Sequence, residues 1–491
     1  MKDLRDKAIR GALARLCTQA GSFLLRIGSL AIMARLLDPQ DFGLIGMVTA
    51  FTGVLSLFRD FGLSAATIQH VNVTEEQKST LFWINLLVGF LLTLLATSLA
   101  SVVATFYREP RLFWVTTVVA TGFVFNAAGI QHSALLQREM RFTTLSVIDI
   151  SSWLISTVVG IAAAKAGYGY WALVVATVTL PLTSTTACWF ATAWVPGPPR
   201  RRTGIRSLLR FGGTVTLSGV VLYIASNFEK VLLGRFWGAD AIGLYGRAYQ
   251  LSRIPTDSLN GAIGEVAFSA LARLQGEPAI LKAYFLKGYS LILALTLPAT
   301  FACGLFADDM ITVILGPKWH AAAPLFRLLA PTILVFAIAN PLSWLLSATG
   351  QVGRGLKMTL VIAPLMIAGD LIGIPYGPTG VAFTYSAVMV LWIVPVILWS
   401  VHGTVIAFRD VLLTVSHPLV SAIVGGAFAL AVRAAFGHPS LLRLLLEGAT
   451  MSAVYVGMLL WVMGQKRFYV DFMRRVIGRN AADESTLLAS V

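Results

Sequence analysis

Long stretches of this chain contain no charged side chain. Leu86–Ala104 and Val381–Trp399 are the clearest examples, and both consist almost entirely of apolar residues. A run of about 18 or more such residues can cross the roughly 30 Å hydrocarbon core of a bilayer as a helix. The strands of membrane barrels instead alternate apolar and polar residues in segments of about ten. The runs therefore predict transmembrane α-helices, which hydrogen-bond every backbone group within one segment.

Composition extends this prediction to the whole chain. Of its 491 residues, 57% are hydrophobic and 12% are charged, whereas about a quarter of the residues of a soluble domain are charged. We therefore predict an all-α polytopic membrane protein and exclude a soluble globular one.

The apolar segments divide into about fourteen helices, whose ends are predicted to within a few residues. Six form a first group, at about 10–37, 42–69, 79–106, 112–136, 144–165 and 168–195. Six more lie at about 207–236, 241–270, 283–306, 322–349, 356–375 and 378–401, and a final pair at about 411–435 and 441–464. The predicted organisation is an N-lobe (1–195), a Pro- and Arg-rich cytoplasmic linker (196–206), a C-lobe (207–401), a helix pair (402–464) and a cytoplasmic tail (465–491).

Basic residues are distributed unequally between the predicted loops. The loops opposite the N-terminus hold only Arg108, Arg111 and Lys318, and the more numerous other loop Lys and Arg residues lie on the N-terminal side. Because cytoplasmic loops carry the excess of Lys and Arg, we expect both termini in the cytoplasm and the protein in a bacterial inner membrane. The asymmetry also accounts for the net charge of +15 without a nucleic-acid partner. Basic loops that bind anionic lipid remain an alternative.

The two groups of six helices contain an internal repeat. The segment 34–46 (ARLLDPQDFGLIG) aligns without gaps with 234–246 (GRFWGADAIGLYG), at an offset of 200 residues. The identical positions are Arg35 and Arg235, Gly43 and Gly243, Leu44 and Leu244, and Gly46 and Gly246. Both segments join the first two helices of their group. An even number of helices per group predicts two lobes related by a pseudo-two-fold axis along the membrane normal, with a cavity between them.

Polar and ionisable residues follow single faces of four predicted helices, because steps of three and four residues stack side chains along one side. They are Arg15, Gln19, Ser22, Arg26 and Ser29 on the first helix; Thr52, Ser56, Asp60 and Ser64, with adjacent Arg59, on the second; Tyr223, Asn227 and Lys230, with adjacent Glu229, on the seventh; and Gln250, Arg253, Asp257 and Asn260 on the eighth. Ionisable residues within a span indicate function by default. We expect these faces to line the polar cavity.

A structural role for the charges stays open. The pairs Arg59–Asp60, Glu229–Lys230 and Arg253–Asp257 can each neutralise themselves or join helices, whereas Arg15 and Arg26 have no acid on their own helix face. Three further arginines near outer helix ends are expected to extend to the membrane surface: Arg35, Arg235 and Arg247. Five isolated ionisable residues receive no role: Asp149, Lys165, Arg327, Asp370 and Arg433.

The chain lacks the short motifs of common enzymes and of ATP-driven transporters. It contains no P-loop, H-E-x-x-H, C-x-x-C or G-x-S-x-G sequence, and its three cysteines lie apart in apolar segments. We therefore predict no catalytic residue, no cofactor and no metal site. Any energy source would be an ion gradient, the membrane potential or the substrate gradient.

The outer connection of each group resembles a known family. ARLLDPQDFGLIGMVTAF and LFRDFGLSAATIQ (within 34–69), with FGGTVTLSGVVLYIASNFEKVLLGRFWGADAIGLYGRAYQL (211–251), are similar to the polysaccharide transporter family, the Wzx-type lipid-linked oligosaccharide flippases. The resemblance lies in packing and turn residues. It implies the fold of the multidrug/oligosaccharidyl-lipid/polysaccharide exporter superfamily. That fold has twelve core helices in two bundles, and many flippases have two further helices, which agrees with the fourteen predicted.

The resemblance also implies a function. The substrate would be an oligosaccharide repeat unit on undecaprenyl diphosphate, moved by alternating access from the cytoplasmic to the periplasmic leaflet. It would feed the synthesis of exopolysaccharide, capsule or O-antigen (lipopolysaccharide), with a polysaccharide polymerase and export machinery as candidate partners.

The polar helix faces suit such a substrate. Arginines can offset the cost of moving a diphosphate through lipid by charge-assisted hydrogen bonds, and we expect these contacts from Arg15, Arg26 and Arg253. Candidates for sugar contacts are Gln19, Tyr223, Asn227, Tyr249 and Gln250. Candidates for ion coupling, or for positioning the arginines, are Arg59, Asp60, Glu229, Lys230 and Asp257.

Three other functions stay open at this point. A flippase for the peptidoglycan lipid precursor and a cation-coupled drug exporter belong to the same superfamily, although the exporter would favour an acidic cavity over an arginine-bearing one. A membrane polysaccharide polymerase would need a long polar outer loop, for which the predicted spans leave no room.

Overall fold

The computed structural model describes residues 21, 25–59, 74–199, 220, 223–224, 226–435, 440–466 and 469. These residues form helices joined by short connections, and no strand occurs among them. Nine helices in this part of the chain are long and apolar enough to cross a membrane. The prediction of an all-α polytopic membrane protein is confirmed.

The helices are, in chain order, α1 (25–36), α2 (Pro39–Ser56), α3 (Glu75–Ser98), α4 (Ala100–Tyr107), α5 (Leu112–Arg138), α6 (Phe142–Lys165), α7 (Trp171–Thr192), α8 (Phe228–Arg273), α9 (Pro278–Leu305), α10 (Ala307–Ile314), α11 (Ala322–Leu329), α12 (Pro331–Ala348), α13 (Val352–Gly373), α14 (Gly377–Val401), α15 (Phe408–Ala434) and α16 (Leu441–Gly457). Helices α5, α6 and α15 match the predicted segments 112–136, 144–165 and 411–435 to within a few residues. Long apolar segments bounded by polar residues explain this agreement.

Local sequence explains where several helices begin and bend. Thr74 caps α3, because its hydroxyl accepts a hydrogen bond from the Gln77 amide and the Gln77 side chain accepts one from the Thr74 amide. This reciprocal pair satisfies two donors that a helix start leaves without partners. Within α8, Gly238 has a φ of 81°, which breaks the helix at the predicted turn between residues 236 and 241. Glycine tolerates this left-handed region because it has no Cβ.

The chain divides into two compact units. The first comprises the described residues up to 247 together with 366–381, and the second comprises 248–365 and the described residues from 382 onward. In the first unit, α5 packs against α3 and α7, and α6 packs against α7. In the second, α9 packs against α12 and α15, and α15 packs against α16. The predicted lobe boundary at 196–206 stays a prediction. The two compact units are defined by which residues contact each other, whereas the predicted lobes were defined by the internal repeat.

Small residues allow the helices of the first unit to approach closely, as is usual within membranes. A Cβ built on Gly129 of α5 would collide with the Thr185 side chain of α7. The Thr185 hydroxyl donates a hydrogen bond of 2.6 Å to the Phe125 carbonyl, and the Trp189 indole donates one of 2.9 Å to the Ala128 carbonyl. These bonds hold α7 along α5.

The two repeat segments contact each other reciprocally. A Cβ on Gly43 would fall on the carbonyl group of Ala239, and a Cβ on Gly243 would fall on the carbonyl group of Pro39. Because 39 and 239, and 43 and 243, are repeat-equivalent positions, the contact maps onto itself, as an approximate two-fold axis between the segments requires. We call this contact the glycine knuckle.

Arg247 lies four residues after Gly243 of the glycine knuckle, and its surroundings differ from those predicted. Its guanidinium carbon lies 4.8 Å from the centre of the buried Phe42 ring, and its Nε atom is buried. The expectation that Arg247 extends to the membrane surface is therefore wrong. A cation–π contact holds the side chain inward instead.

An ionic cluster joins α10 to the last helices of the second unit. Asp309 receives two hydrogen bonds from the Arg443 guanidinium, at 2.9 and 2.6 Å, and Arg443 lies 3.6 Å from Glu447. Asp308 pairs with Arg327 at 2.6 Å and with Arg433 at 2.7 Å. The prediction that Arg327 and Arg433 are isolated is therefore wrong. Their shared partner, Asp308, lies on a different helix from either arginine, so no single helix face shows the pairing.

Asp308 illustrates the electrostatics of this cluster. Burial alone would raise the pKa of its carboxyl, but the hydrogen bond from Arg433 and the charges of Arg327 and Arg433 outweigh burial and lower the pKa. A carboxyl with a lowered pKa stabilises the fold at neutral pH, and this contribution is lost only as the pH falls through the lowered pKa.

Candidate functional site

A polar cavity of about 550 Å³ lies within the first unit. Its walls come from α2 and the residues after it, from α5, α6 and α7, and from Tyr223. The lining residues are Thr49, Thr52, Gly53, Ser56 and Arg59; Val119, Gly122, Phe123 and Asn126; Asp149, Ser152 and Trp153; Thr177, Leu180, Pro181 and Ser184; and Tyr223. Most of them carry hydroxyl, amide, aromatic or charged groups, which within a membrane protein indicates a functional site.

One face of α2 supplies the hydroxyl wall. Thr49, Thr52 and Ser56 are separated by steps of three and four residues, so their side chains share a side of the helix. Tyr223 packs where Gly53 leaves room, since a Cβ on Gly53 would collide with the Tyr223 phenol. The Tyr223 hydroxyl donates a hydrogen bond of 3.1 Å to the Thr49 carbonyl. This bond brings the start of the second half of the chain onto the cavity wall.

Pro181 gives the α7 wall an additional acceptor. It lies inside the helix and has no amide hydrogen to donate to the carbonyl of Thr177, four residues earlier. Both residues line the cavity. The α7 wall of the cavity therefore offers the Thr177 hydroxyl and a Thr177 carbonyl that receives no hydrogen bond from residue 181.

Charges of both signs lie at the cavity. Arg59 and Asp149 line it, and the Arg26 guanidinium carbon lies 5.1 Å from the ring centre of Trp153, another lining residue. The charge of Arg26 acts on the Asp149 carboxyl. The lining therefore contains one arginine and one acid, and a second arginine stacks on a lining residue.

The predicted site residues fall into three sets. Arg59 and Tyr223 line the cavity, and Arg26 stacks on the lining residue Trp153. Arg15, Gln19 and Asp60 lie outside the described residues. The remaining predicted residues are Asn227, Glu229 and Lys230, in or next to the first turn of α8, and Tyr249, Gln250, Arg253 and Asp257, in the second unit. No comparison tests their roles, so these roles stay predictions.

Glu229 and Asp370 are two buried acids of the first unit. Both residues have no exposed surface, and none of their four carboxylate oxygens has a hydrogen-bond partner among the described residues. The Lys230 ammonium lies 3.9 Å from Glu229, and the charge of Glu229 acts on Asp370. The sequence assigned no role to Asp370, because nothing in its own helix marks it as the neighbour of Glu229.

Within the second unit, Arg253 is engaged locally. It pairs with Asp257 at 3.1 Å, one turn later on the same helix, and its guanidinium carbon lies 4.0 Å from the centre of the Phe336 ring. Tyr249 and Tyr385 approach each other at 3.4 Å between hydroxyls. The structural pairing of Arg253 with Asp257 that sequence left open is thus present.

Sequence reasoning missed Asp149 and Trp153 as cavity residues. They are four residues apart on α6 and both line the cavity. The available signal was an acid one helical turn before a tryptophan in an otherwise apolar span. For metal ions, the described residues contain no group of three or more His, Cys, Asp or Glu side chains placed to bind one.

The fold is that of a known class of membrane transporters. The structure titled "Lipid II flippase MurJ, inward closed conformation" aligns with a TM-score of 0.74 at 12% identity, covering 95% of this chain and 100% of that chain. At this identity the likeness concerns the fold alone. This likeness in fold agrees with the fold that the sequence resemblance implied.

Sequence comparison then identifies the family. The family model described as "Polysaccharide biosynthesis protein" matches residues 32–324. The chain therefore belongs to this family of polysaccharide biosynthesis proteins, and its resemblance to the polysaccharide transporters is confirmed.

Two curated relatives support the assignment. The teichuronic acid biosynthesis protein TuaB of Bacillus subtilis is 30% identical, over 67% of this chain and 68% of its own. The lipopolysaccharide biosynthesis protein WzxC of Escherichia coli is 24% identical, over 75% of this chain and 77% of its own. A further relative is named a transport protein of succinoglycan biosynthesis. The chain is accordingly a multi-pass membrane protein of the polysaccharide biosynthesis family.

Proposed function

We propose that the protein flips undecaprenyl-diphosphate-linked oligosaccharide repeat units from the cytoplasmic to the periplasmic leaflet by alternating access. The observation that carries this proposal is the polar cavity of the first unit, with Arg59 in its lining and Arg26 stacked on Trp153. A drug exporter for cationic compounds would favour an acidic cavity, whereas a diphosphate favours arginines.

The cavity suits a diphosphate joined to a sugar. Guanidinium groups bind phosphate oxygens through paired, charge-assisted hydrogen bonds, which offset the loss of hydration. The hydroxyls of Thr49, Ser56 and Tyr223 and the amide of Asn126 supply partners for sugar hydroxyls. The lipid tail would stay in the bilayer, outside the cavity.

The proposed orientation in the membrane, from which the two access sides are named, is based on the distribution of charge in the predicted loops. Basic residues predominate in the predicted loops on the N-terminal side, including Arg138, Arg141 and Arg409. By the positive-inside rule, we expect these loops and both termini on the cytoplasmic side of a bacterial inner membrane. A repeat unit loaded there would be released to the periplasm, for a polysaccharide polymerase and export machinery to use.

Replacing Arg26 by glutamine tests the proposal. We expect secreted polymer to fall at least about tenfold at unchanged protein level, because one hydrogen-bonded contact to a charged group contributes about 1.5–3 kcal/mol. Radiolabelled lipid-linked units should accumulate in the cytoplasmic leaflet of a deletion strain that carries this variant. Extraction with and without a membrane-impermeant sugar-modifying reagent distinguishes the two leaflets.

Lys165→Gln is the matched control, since it removes one positive charge from the exposed end of α6. It should leave polymer output unchanged. Normal output from Arg26→Gln would refute the role of Arg26. Units that reach the periplasmic leaflet but stay unpolymerised would favour the polymerase alternative, and rescue of a strain depleted of its peptidoglycan-precursor flippase would favour that substrate instead.

Glu229 and Asp370 are the candidates for ion coupling within the proposed cycle. Two buried carboxylates without hydrogen-bond donors are unfavourable unless a proton or another cation neutralises them, and of these two acids Lys230 is near only Glu229. We expect the double variant Glu229→Gln/Asp370→Asn to keep substrate binding but to lose at least about tenfold of the gradient-driven transport rate in proteoliposomes. Asp240→Asn, which changes an exposed acid of α8, is the control. Equal gradient dependence in both variants would exclude this pair from coupling.

A further inference from the structure

Asp149 is the acidic group of an otherwise cationic or neutral cavity lining among the described residues. It lies on α6 one helical turn before Trp153, the ring on which Arg26 stacks. Residues four apart on a helix lie one above the other. Asp149 and Trp153 therefore share one face of α6. Asp149 is exposed, and it lines the cavity.

Asp149 and Arg26 interact through their charges without forming an ion pair. The charge of Arg26 acts on Asp149, yet no described residue forms an ion pair within 4 Å of either group. Trp153 holds the guanidinium carbon at 5.1 Å from its ring centre, and a cation–π contact of this kind contributes about 0.5–2 kcal/mol. The ring therefore positions the cation, and the carboxylate lowers the local positive potential.

We propose that Asp149 is a built-in counter-ion of Arg26 that competes with the substrate's diphosphate and so promotes its release. This inference rests on the proposed function and names a release determinant within the same cavity. A transporter must bind its substrate weakly enough to let it leave, and a fixed anion beside the binding cation lowers the affinity for a second anion. Trp153 is the positioning residue that keeps Arg26 available to both anions.

The test measures binding of undecaprenyl diphosphate, without sugar, to the full-length protein in lipid nanodiscs. We expect Asp149→Asn to bind this probe about tenfold more tightly, with slower transport of lipid-linked units in proteoliposomes. Arg26→Gln should bind it at least tenfold more weakly. In Arg26→Gln the further change Asp149→Asn should have no effect, because the competition requires Arg26.

A merely structural role for Asp149 would not tighten binding. Glu139→Gln removes one negative charge from an exposed position after α5 and should leave the affinity unchanged. Weaker or equal binding by Asp149→Asn, or tightening that persists without Arg26, would overturn the inference while leaving the flippase proposal intact. If the unaltered protein does not bind undecaprenyl diphosphate at all, the proposed function itself fails.

Discussion

Substituting alanine for Gly43 is expected to lower the thermal stability of the protein and to abolish most polymer output. The added Cβ would fall on the backbone carbonyl of Ala239, which no side-chain rotation can move aside. Overpacking of this kind costs about 1–3 kcal/mol and more where backbone must shift. That cost exceeds the gain of up to about 1 kcal/mol that alanine brings to a helix. Thermal unfolding in detergent and quantification of secreted polymer measure the two effects.

The repeat provides sharp controls for the glycine knuckle. Gly243→Ala should have a similar effect, because its Cβ would fall on the carbonyl of Pro39. Gly246→Ala should not, because nothing lies within 4 Å of the Cβ position there. The double variant Gly43→Ala/Gly243→Ala should cost less than the sum, since both changes separate the same two segments. Equal behaviour of Gly43→Ala and Gly246→Ala would show that the close approach is absent.

Replacing Arg443 by methionine is expected to destabilise the second unit by about 3–5 kcal/mol, the usual cost of breaking a buried ion pair. The change leaves Asp309 and Glu447 without their shared cation, and both residues have no exposed surface. Methionine keeps much of the length of the side chain, so the loss reports on charge rather than on a cavity. A lowered midpoint of thermal unfolding, measured in detergent at neutral pH, is the expected result.

Arg327→Met is the control within the same ionic cluster. Its side chain is 47% exposed, and its partner Asp308 keeps Arg433 at 2.7 Å, so the expected loss is about 0–1 kcal/mol. Adding Asp309→Asn and Glu447→Gln to Arg443→Met should recover part of the stability, because the buried negative charges are then removed. Equal losses for Arg443→Met and Arg327→Met would show that burial does not set the cost.

Several features of the site could be predicted because they depend on one helix at a time. Thr52 and Ser56 were expected on a polar face that lines a cavity, with Arg59 next to that face, and Arg26 was expected as an arginine without an acid on its own helix face. A period of 3.6 residues makes such faces visible in sequence. The pairing of Arg253 with Asp257 is likewise local, one helical turn apart.

Asp149, Asp370 and Arg433 could not be placed in this way. Each is a single charge in an apolar helix, and its meaning depends on a residue from another part of the chain: Arg26, Glu229 and Asp308 respectively. Composition and periodicity describe a helix face but do not state which face of another helix it meets.

The sequence by itself determined that the chain crosses a membrane as helices, that its two groups of helices share a repeat, and which family it resembles. These properties follow from the length of apolar segments and from matching motifs. Only the tertiary structure decided that Gly43 packs against Ala239 and Gly243 against Pro39. The same holds for the electrostatic interaction between Arg26 and Asp149. The physical reason is that packing joins residues 100 or more positions apart through shape and charge, which helical periodicity does not encode.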